Sequence, residues 1–209
     1  MVFFQYLCDM LQGQKSELTK EIILNKSFKL FYENGFKTTS VDKIMEATKL
    51  TKGAFYYHYK SKKELGLAVI SLKVQKRVHE GMIAPLYNSG NAVEILESTF
   101  LDRIKSFPLY DKQHGCPMNN FINEIADYEA AYQLALRKII DEWRAGLIAL
   151  IERGKADNSI KESVSSNSVA IYLISAFEGI RGIRKLYDDD IILEEYIAGL
   201  SSYIEQIKK

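Results

Sequence analysis

Three absences shape this 209-residue chain before any motif is read. Proline is scarce: Pro85, Pro108 and Pro117 are far apart, so long stretches can run as unbroken helix. Cysteine is scarcer still. Cys8 and Cys116 form neither a disulfide framework nor a metal-type spacing, and that fits a reducing, cytoplasmic setting with no metal and no cofactor. No window approaches the roughly 20 apolar residues of a membrane span. The apolar start MVFFQYLCDML lacks a basic flank and a small-residue cleavage site, so it does not read as a secretory signal. It reads as an arm over 1–15 that can be disordered, or as an upstream start with Met10 the true one; the sequence leaves both open.

Enzyme signatures are missing too. There is no G-x-S-x-G, no nucleotide-binding glycine pattern and no H-E-x-x-H. His58 has no acid and nucleophile to work with. His79 and His114 have no partner ligands, and the run Asp188–Asp190 suits a solvated turn. The chain is expected not to be an enzyme.

What is present is an uneven charge. Residues 15–63 hold eleven lysines against five acids, a net +6 in a chain whose total is +1, which leaves −5 for the rest. A basic first quarter points to an anionic partner for that part alone. The segment TKGAFYYHYKSKKEL, 51–65, concentrates the effect: Phe55, Tyr56, Tyr57, His58 and Tyr59 stand among Lys52, Lys60, Lys62 and Lys63.

Helical periodicity covers nearly the whole chain. Residues 17–34 carry the stripe Ile23, Ser27, Leu30 and Phe31, and Gly35 supplies a left-handed stop. Ser40 reads as the cap of a two-turn helix whose inner face is Val41, Ile44, Met45 and Thr48. Thr51 caps a second short helix, and Ser61-Lys-Lys-Glu64 is a capping box opening a long helix to about Leu86. Further helices are expected at 93–107, 117–127, 129–155, 166–187 and 191–207, with a loop at 111–115. The fold class is therefore all-α: about nine helices, with an N-terminal three-helix head (16–62) on a larger helical body (63–209).

Three short helices, the last two joined by a tight turn, have the shape of a helix-turn-helix. On 52–58, Phe55 and Tyr59 stand four apart and anchor inward. Lys52, Gly53, Tyr56 and Tyr57 then face outward, where a bare glycine lets the backbone approach a sugar-phosphate wall. Gly35, Phe36, Thr39, Ser40, Val41, Ile44, Ala47, Thr51, Lys52, Gly53, Tyr56, Tyr59, Ser61, Lys62 and Leu65 stand in the order and spacing of a known pattern. Over about 18–67 the chain resembles the DNA-binding domain of TetR-type, AcrR-like transcriptional regulators. It departs at Thr48-Lys49-Leu50, where the family has a small residue and a glycine ahead of the apolar turn residue.

The resemblance implies a bacterial-type homodimer that places two heads on a near-palindromic, double-stranded operator. Most members repress transcription and release DNA when a small molecule binds the body. It places Thr39, Ser40, Thr51, Lys52, Gly53, Tyr56, Tyr57, His58 and Lys62 at the DNA. In the body, Phe100, Ile104, Cys116, Met118, Phe121, Ile122, Trp143, Leu147, Tyr172 and Phe177 are candidate lining residues for an apolar or aromatic effector. Each is equally suited to ordinary core. Ala170, Leu173, Ile174, Phe177, Ile180 and Arg184 form a stripe that is expected to dimerise or else to pack within the chain. Cys116, next to Pro117 at a helix start, has two readings: a redox sensor with a lowered thiol pKa, or a small packing residue at a pocket wall, which the GCP turn favours. A helix-turn-helix used only for protein contacts is the alternative for the head, and an activator is the alternative to a repressor.

Overall fold

The computed structural model describes residues 2–209, with side chains described from Gly13 onward. Among these residues the structure is helical throughout. The first helix, α1 (Val2–Asn34), continues without a break through the segment read as an arm; Cys8 and its neighbours' side chains lie outside the described residues. Gly35 ends α1 at φ 88°, its N–H donating to the Phe31 carbonyl. Next come α2 (Val41–Thr48) and α3 (Lys52–His58). Ile23, Leu24, Ser27 and Phe31 of α1 pack with Ile44, Met45 and Phe55 as the head's core. Leu30, expected on that stripe, is only half-buried, while Leu24 and Tyr32 are buried.

The long helix α4 spans 62–87 and is not uniformly α-helical. It carries wide π turns at Ile70–Val74 and His79–Ile83 and closes in a 3-10 turn. The cause is visible in its buried face. Ile70, Val74, Val78, Met82 and Leu86 are buried four residues apart. A repeat of four outruns about 3.6 residues per turn, and the wider turns bring these side chains back to one side.

Asn91 caps α5 (92–106), its side chain accepting from the Val93 N–H at 2.8 Å. Where a loop was expected, Pro108 instead starts a short helix, Leu109–His114. Pro117 sits in the first turn of α6 (Pro117–Ile125), as its ring geometry favours. The body is completed by α7 (Ala130–Ala156), α8 (Ser166–Ile183) and α9 (Ile191–Ile207). Its centre is aromatic: Phe100 and Trp143 stack at 6.2 Å, and Phe177 meets both edge-on.

The stripe offered for dimerisation needs correction. Ala170, Leu173, Ile174, Phe177, Ile180 and Arg184 are all buried against their own chain. The opposite face of α8 is free, with Ile171, Tyr172 and Ile183 exposed; Leu186 in the 3-10 turn after it and Ile191 at the start of α9 are exposed too. Gly179, Gly182 and Gly199 have nothing within 4 Å of where a Cβ would sit, so this face is both apolar and flat.

Candidate nucleic-acid interface and effector cavity

The head presents α3 through three hydrogen-bonded caps. Ser40 Oγ accepts from the Lys43 N–H and Thr51 Oγ1 from the Ala54 N–H, each at 3.2 Å. Ser61 Oγ accepts from the Glu64 N–H, and Glu64 Oε2 reaches back to the Lys60 N–H, one residue before the cap that the expected capping box would use. These caps satisfy donors that the short helices would otherwise leave bare. The departure at Lys49 is absorbed locally. Lys49 takes the left-handed conformation at φ 57°, and the Leu50 N–H still reaches the Met45 carbonyl at 3.2 Å, so the turn between α2 and α3 stays closed.

Phe55 and Tyr59 are buried and hold α3 from below. Above them Lys52, Gly53, Tyr56 and Tyr57 are exposed, Tyr57 at 77%, with His58 half-buried against its ring. A Cβ on Gly53 would meet only Thr51 Oγ1, at 3.7 Å, which leaves the helix start open to an approaching backbone. Lys52 Nζ pairs with Asp42 at 2.7 Å across the turn, an exposed pair that a phosphate can replace. Ser40 and Thr51 are exposed beside it, though their hydroxyl oxygens are engaged as caps.

Two expected DNA contacts are placed elsewhere. Thr39 is fully buried, its hydroxyl donating to the Gly35 carbonyl at 2.7 Å, because it braces the α1–α2 turn. Lys62 folds back over the Phe36 ring at 4.4 Å and donates to the Lys37 carbonyl; burial pushes its ammonium below the usual lysine range. Lys60, expected beside the start of α4, is exposed; Lys37 and Lys43 are exposed on the head as well, and no motif singled them out. Their spacing follows from folding, not from any local pattern.

Head and body are tied by polar contacts that no local pattern announces. The Glu124 carboxylate on α6 accepts from the Phe36 and Lys37 N–H groups, each at 2.7 Å, and so caps the turn after α1. Tyr32 of α1 donates to Asp111 at 2.9 Å and lies within 2.6 Å of the Gly115 carbonyl. Asp111 also accepts from Arg77 of α4 at 2.6 Å. Burial and the Asp111 charge together push the Tyr32 hydroxyl far above the ordinary tyrosine range, so it stays a donor. Gly66 of α4 packs so closely that a Cβ would stand 2.7 Å from the Phe36 ring and 3.2 Å from Tyr132.

In the body, Phe100, Ile104, Met118, Phe121, Trp143, Leu147 and Phe177 are core, and Ile122 is half-buried. Tyr172 is not part of that wall: it is exposed, its ring tilted against that of Tyr203 at 4.4 Å. Cys116 lines a small cavity near Trp143, Glu178 and Arg181. Burial, and then the Glu178 carboxylate, push its thiol up to about 12. The lowering that the sensor reading requires is reversed, because a fully buried thiolate loses more hydration than a short helix dipole returns, and Cys116 stands as the packing residue at a cavity wall. The cavity's charged wall, which includes Arg77, Arg103, Glu178 and Arg181, was absent from the sequence reading.

Two family profiles cover most of the chain. The one described as bacterial regulatory proteins, tetR family, matches residues 23–69, and the tetracyclin repressor-like C-terminal domain matches 93–200. The chain belongs to the TetR family. The family comprises transcriptional regulators and not enzymes, and its head binds DNA. A TetR transcriptional regulator from Chloroflexus aurantiacus J-10-FL superposes with a TM-score of 0.83 at 29% identity, over 93% of this chain and 98% of that one. An uncharacterised helix-turn-helix regulator of Lactococcus lactis is 32% identical over 59% of this chain and 63% of its own length. The transcriptional repressor DhaR of a Mycobacterium species is 23% identical over 77% of this chain and 79% of its own. Within this TetR-family protein, no helix among the described residues is long and apolar enough to cross a membrane. No group of three metal-ligating side chains occurs among them either.

Proposed function

We propose that this chain is a sequence-specific, ligand-responsive repressor that acts in the cytoplasm as a homodimer on a palindromic operator. The observation that carries the reading is the outer face of α3: Lys52, Gly53, Tyr56 and Tyr57 stand free on a helix pinned beneath by Phe55 and Tyr59. Such a face is thin where a groove wall must approach and rich in donors where phosphates lie. Residues 16–62 then form the DNA-binding head and 63–209 the effector-binding and dimerising body. The free apolar face of α8 and α9 supports pairing by a four-helix contact across a two-fold axis.

Release follows from the ties between head and body. Two heads reach successive half-sites only at about one helical turn of separation, or a multiple. An effector with an apolar or aromatic body, lodged among α4–α8, shifts α4 and the Tyr32–Asp111–Arg77 link, and the heads lose that spacing. Selection of bound duplexes from a random pool at about 0.15 M salt tests the reading. An enriched inverted repeat is expected, lost with Tyr56→Ala/Tyr57→Ala protein. A soluble dimer that enriches no sequence would contradict it.

A further inference from the structure

The buried polar groups that the DNA face leaves unused converge on one place. A cavity of about 20 Å³ lies between α4, α5, α6, α7 and α8, room for one water molecule. Three polar atoms of its lining are buried without a partner: Arg103 Nε, Trp143 Nε1 and Glu178 Oε2. Trp143 is fully buried and Glu178 about nine-tenths so. Native interiors leave few such groups unmet, so two donors and an acceptor around one cavity mark a place that a polar guest completes.

The charge around the cavity says what. Arg77, Arg103 and Arg181 all line it with Glu178. Arg77 pairs with Asp111 and Arg181 with Glu178, while Arg103 has no carboxylate partner among the described residues. Burial favours the neutral form of Glu178. Burial first, and then the neighbouring Arg77 and Arg181 guanidinium groups, hold Arg103 below its ordinary range. A basin of about 480 Å³ opens on the other side of Arg77, Arg103 and Phe107, with Lys73 and Lys76 on its walls. Gly81 seats the Arg103 guanidinium flat on α4, where any Cβ would collide with it. Across the two spaces Lys73, Lys76, Arg77, Arg103 and Arg181 face Glu80, Asp111 and Glu178, a surplus of positive charge that favours an anion.

We propose that this cavity is the closed form of a site for a small organic carboxylate. The anionic head lies on Arg77 and Arg103, where guanidinium groups bind carboxylates in matched geometry. A short apolar or aromatic body lies against Met82, Phe107 and Trp143. Phe107, half-buried at the end of α5, moves toward the basin to admit it. This rests on the reading of the body as the effector-binding part and deepens it: the effector is an acid. It also supplies the route to the head. A carboxylate on Arg77 competes with Asp111, the residue that holds Tyr32 of α1, and loosens the tie that sets the head.

Trp143 is the chain's sole tryptophan and reports on the cavity directly. The full-length protein is titrated with butanoate and benzoate, and in parallel with butanamide and benzamide, at constant pH and ionic strength. Trp143 emission and affinity for the selected operator are both followed. The proposal expects a saturable emission change with the acids, at least ten-fold weaker with the amides. Operator affinity should fall by roughly 5- to 150-fold with the acids. Arg103→Gln should remove the response and Arg103→Lys retain part of it; the wild-type contrast of acid and amide stands even if a variant folds poorly. Equal responses to acid and amide, or no saturable response to either acid while operator binding is intact, overturns the proposal. Failure to bind any operator without ligand counts against the repressor reading instead, and the emission titration still decides the carboxylate site.

Discussion

Two residues carry unusual local costs, and each gives a prediction. Lys49 holds a left-handed conformation that costs an L-residue about 1–2 kcal/mol relative to glycine, partly offset by the greater entropy glycine loses on folding. Lys49→Gly is expected to raise stability by about 0.5–1 kcal/mol in urea unfolding, with DNA affinity little changed. An unchanged or lower midpoint would show that the Lys49 side chain contributes more than its backbone costs. Cys116 is the second. Its thiol, held near 12 by burial against an ordinary 9.0, stays protonated in the folded chain. Its contribution to stability is therefore present below about pH 9 and lost as pH rises toward 12. In a Cys8→Ser background, iodoacetamide at pH 8 should leave the folded protein unmodified and react readily in urea. Rapid labelling of the folded chain would reopen the sensor reading.

At the scale of elements, the joint between head and body is set by α4 and α6. Gly66 is the close point, with Phe36 and Tyr132 already at contact distance. Gly66→Ala is expected to cost about 1–3 kcal/mol, the range for overpacking a tight core, measured by the urea midpoint. A neutral result would mean that the joint has slack. The head was legible in the sequence because its determinants are local: Ser40, Thr51 and Ser61 each cap within three residues, and Phe55 and Tyr59 are four apart. The joint was not legible, because Glu124 caps backbone groups 87 and 88 residues away and Tyr32 meets Asp111 at a separation of 79. The α8 stripe misled for a different reason. That helix is apolar on both faces, Leu173 and Ile174 on one, Ile171 and Ile183 on the other. Periodicity cannot say which face the chain keeps for itself. For Cys116 the helix start alone left two readings open, and Glu178 and Arg181 of α8, which share its cavity, favour the packing one.

For the whole molecule, the exposed apolar surface of α8 and the start of α9 is the part that a single chain leaves unfinished. Contiguous exposed apolar surface on a folded chain marks an interaction site. Ile183→Glu/Leu186→Glu protein should elute as a monomer in size-exclusion chromatography with light scattering, with helix content unchanged. Its operator affinity should fall by more than ten-fold, since a lone head grips one half-site only. A variant that stays dimeric would place the interface elsewhere.

The central claim is that α3 reads DNA with its free aromatic and lysine face. Its most direct test is the affinity for the selected inverted repeat, measured for wild type and for Tyr56→Ala and Tyr57→Ala across about 50–200 mM salt. The account predicts a steep loss of wild-type affinity with salt. It also predicts an affinity at least ten-fold lower for each variant at equal fold stability. Variants that bind as tightly as wild type, with the same dependence on salt, would contradict it.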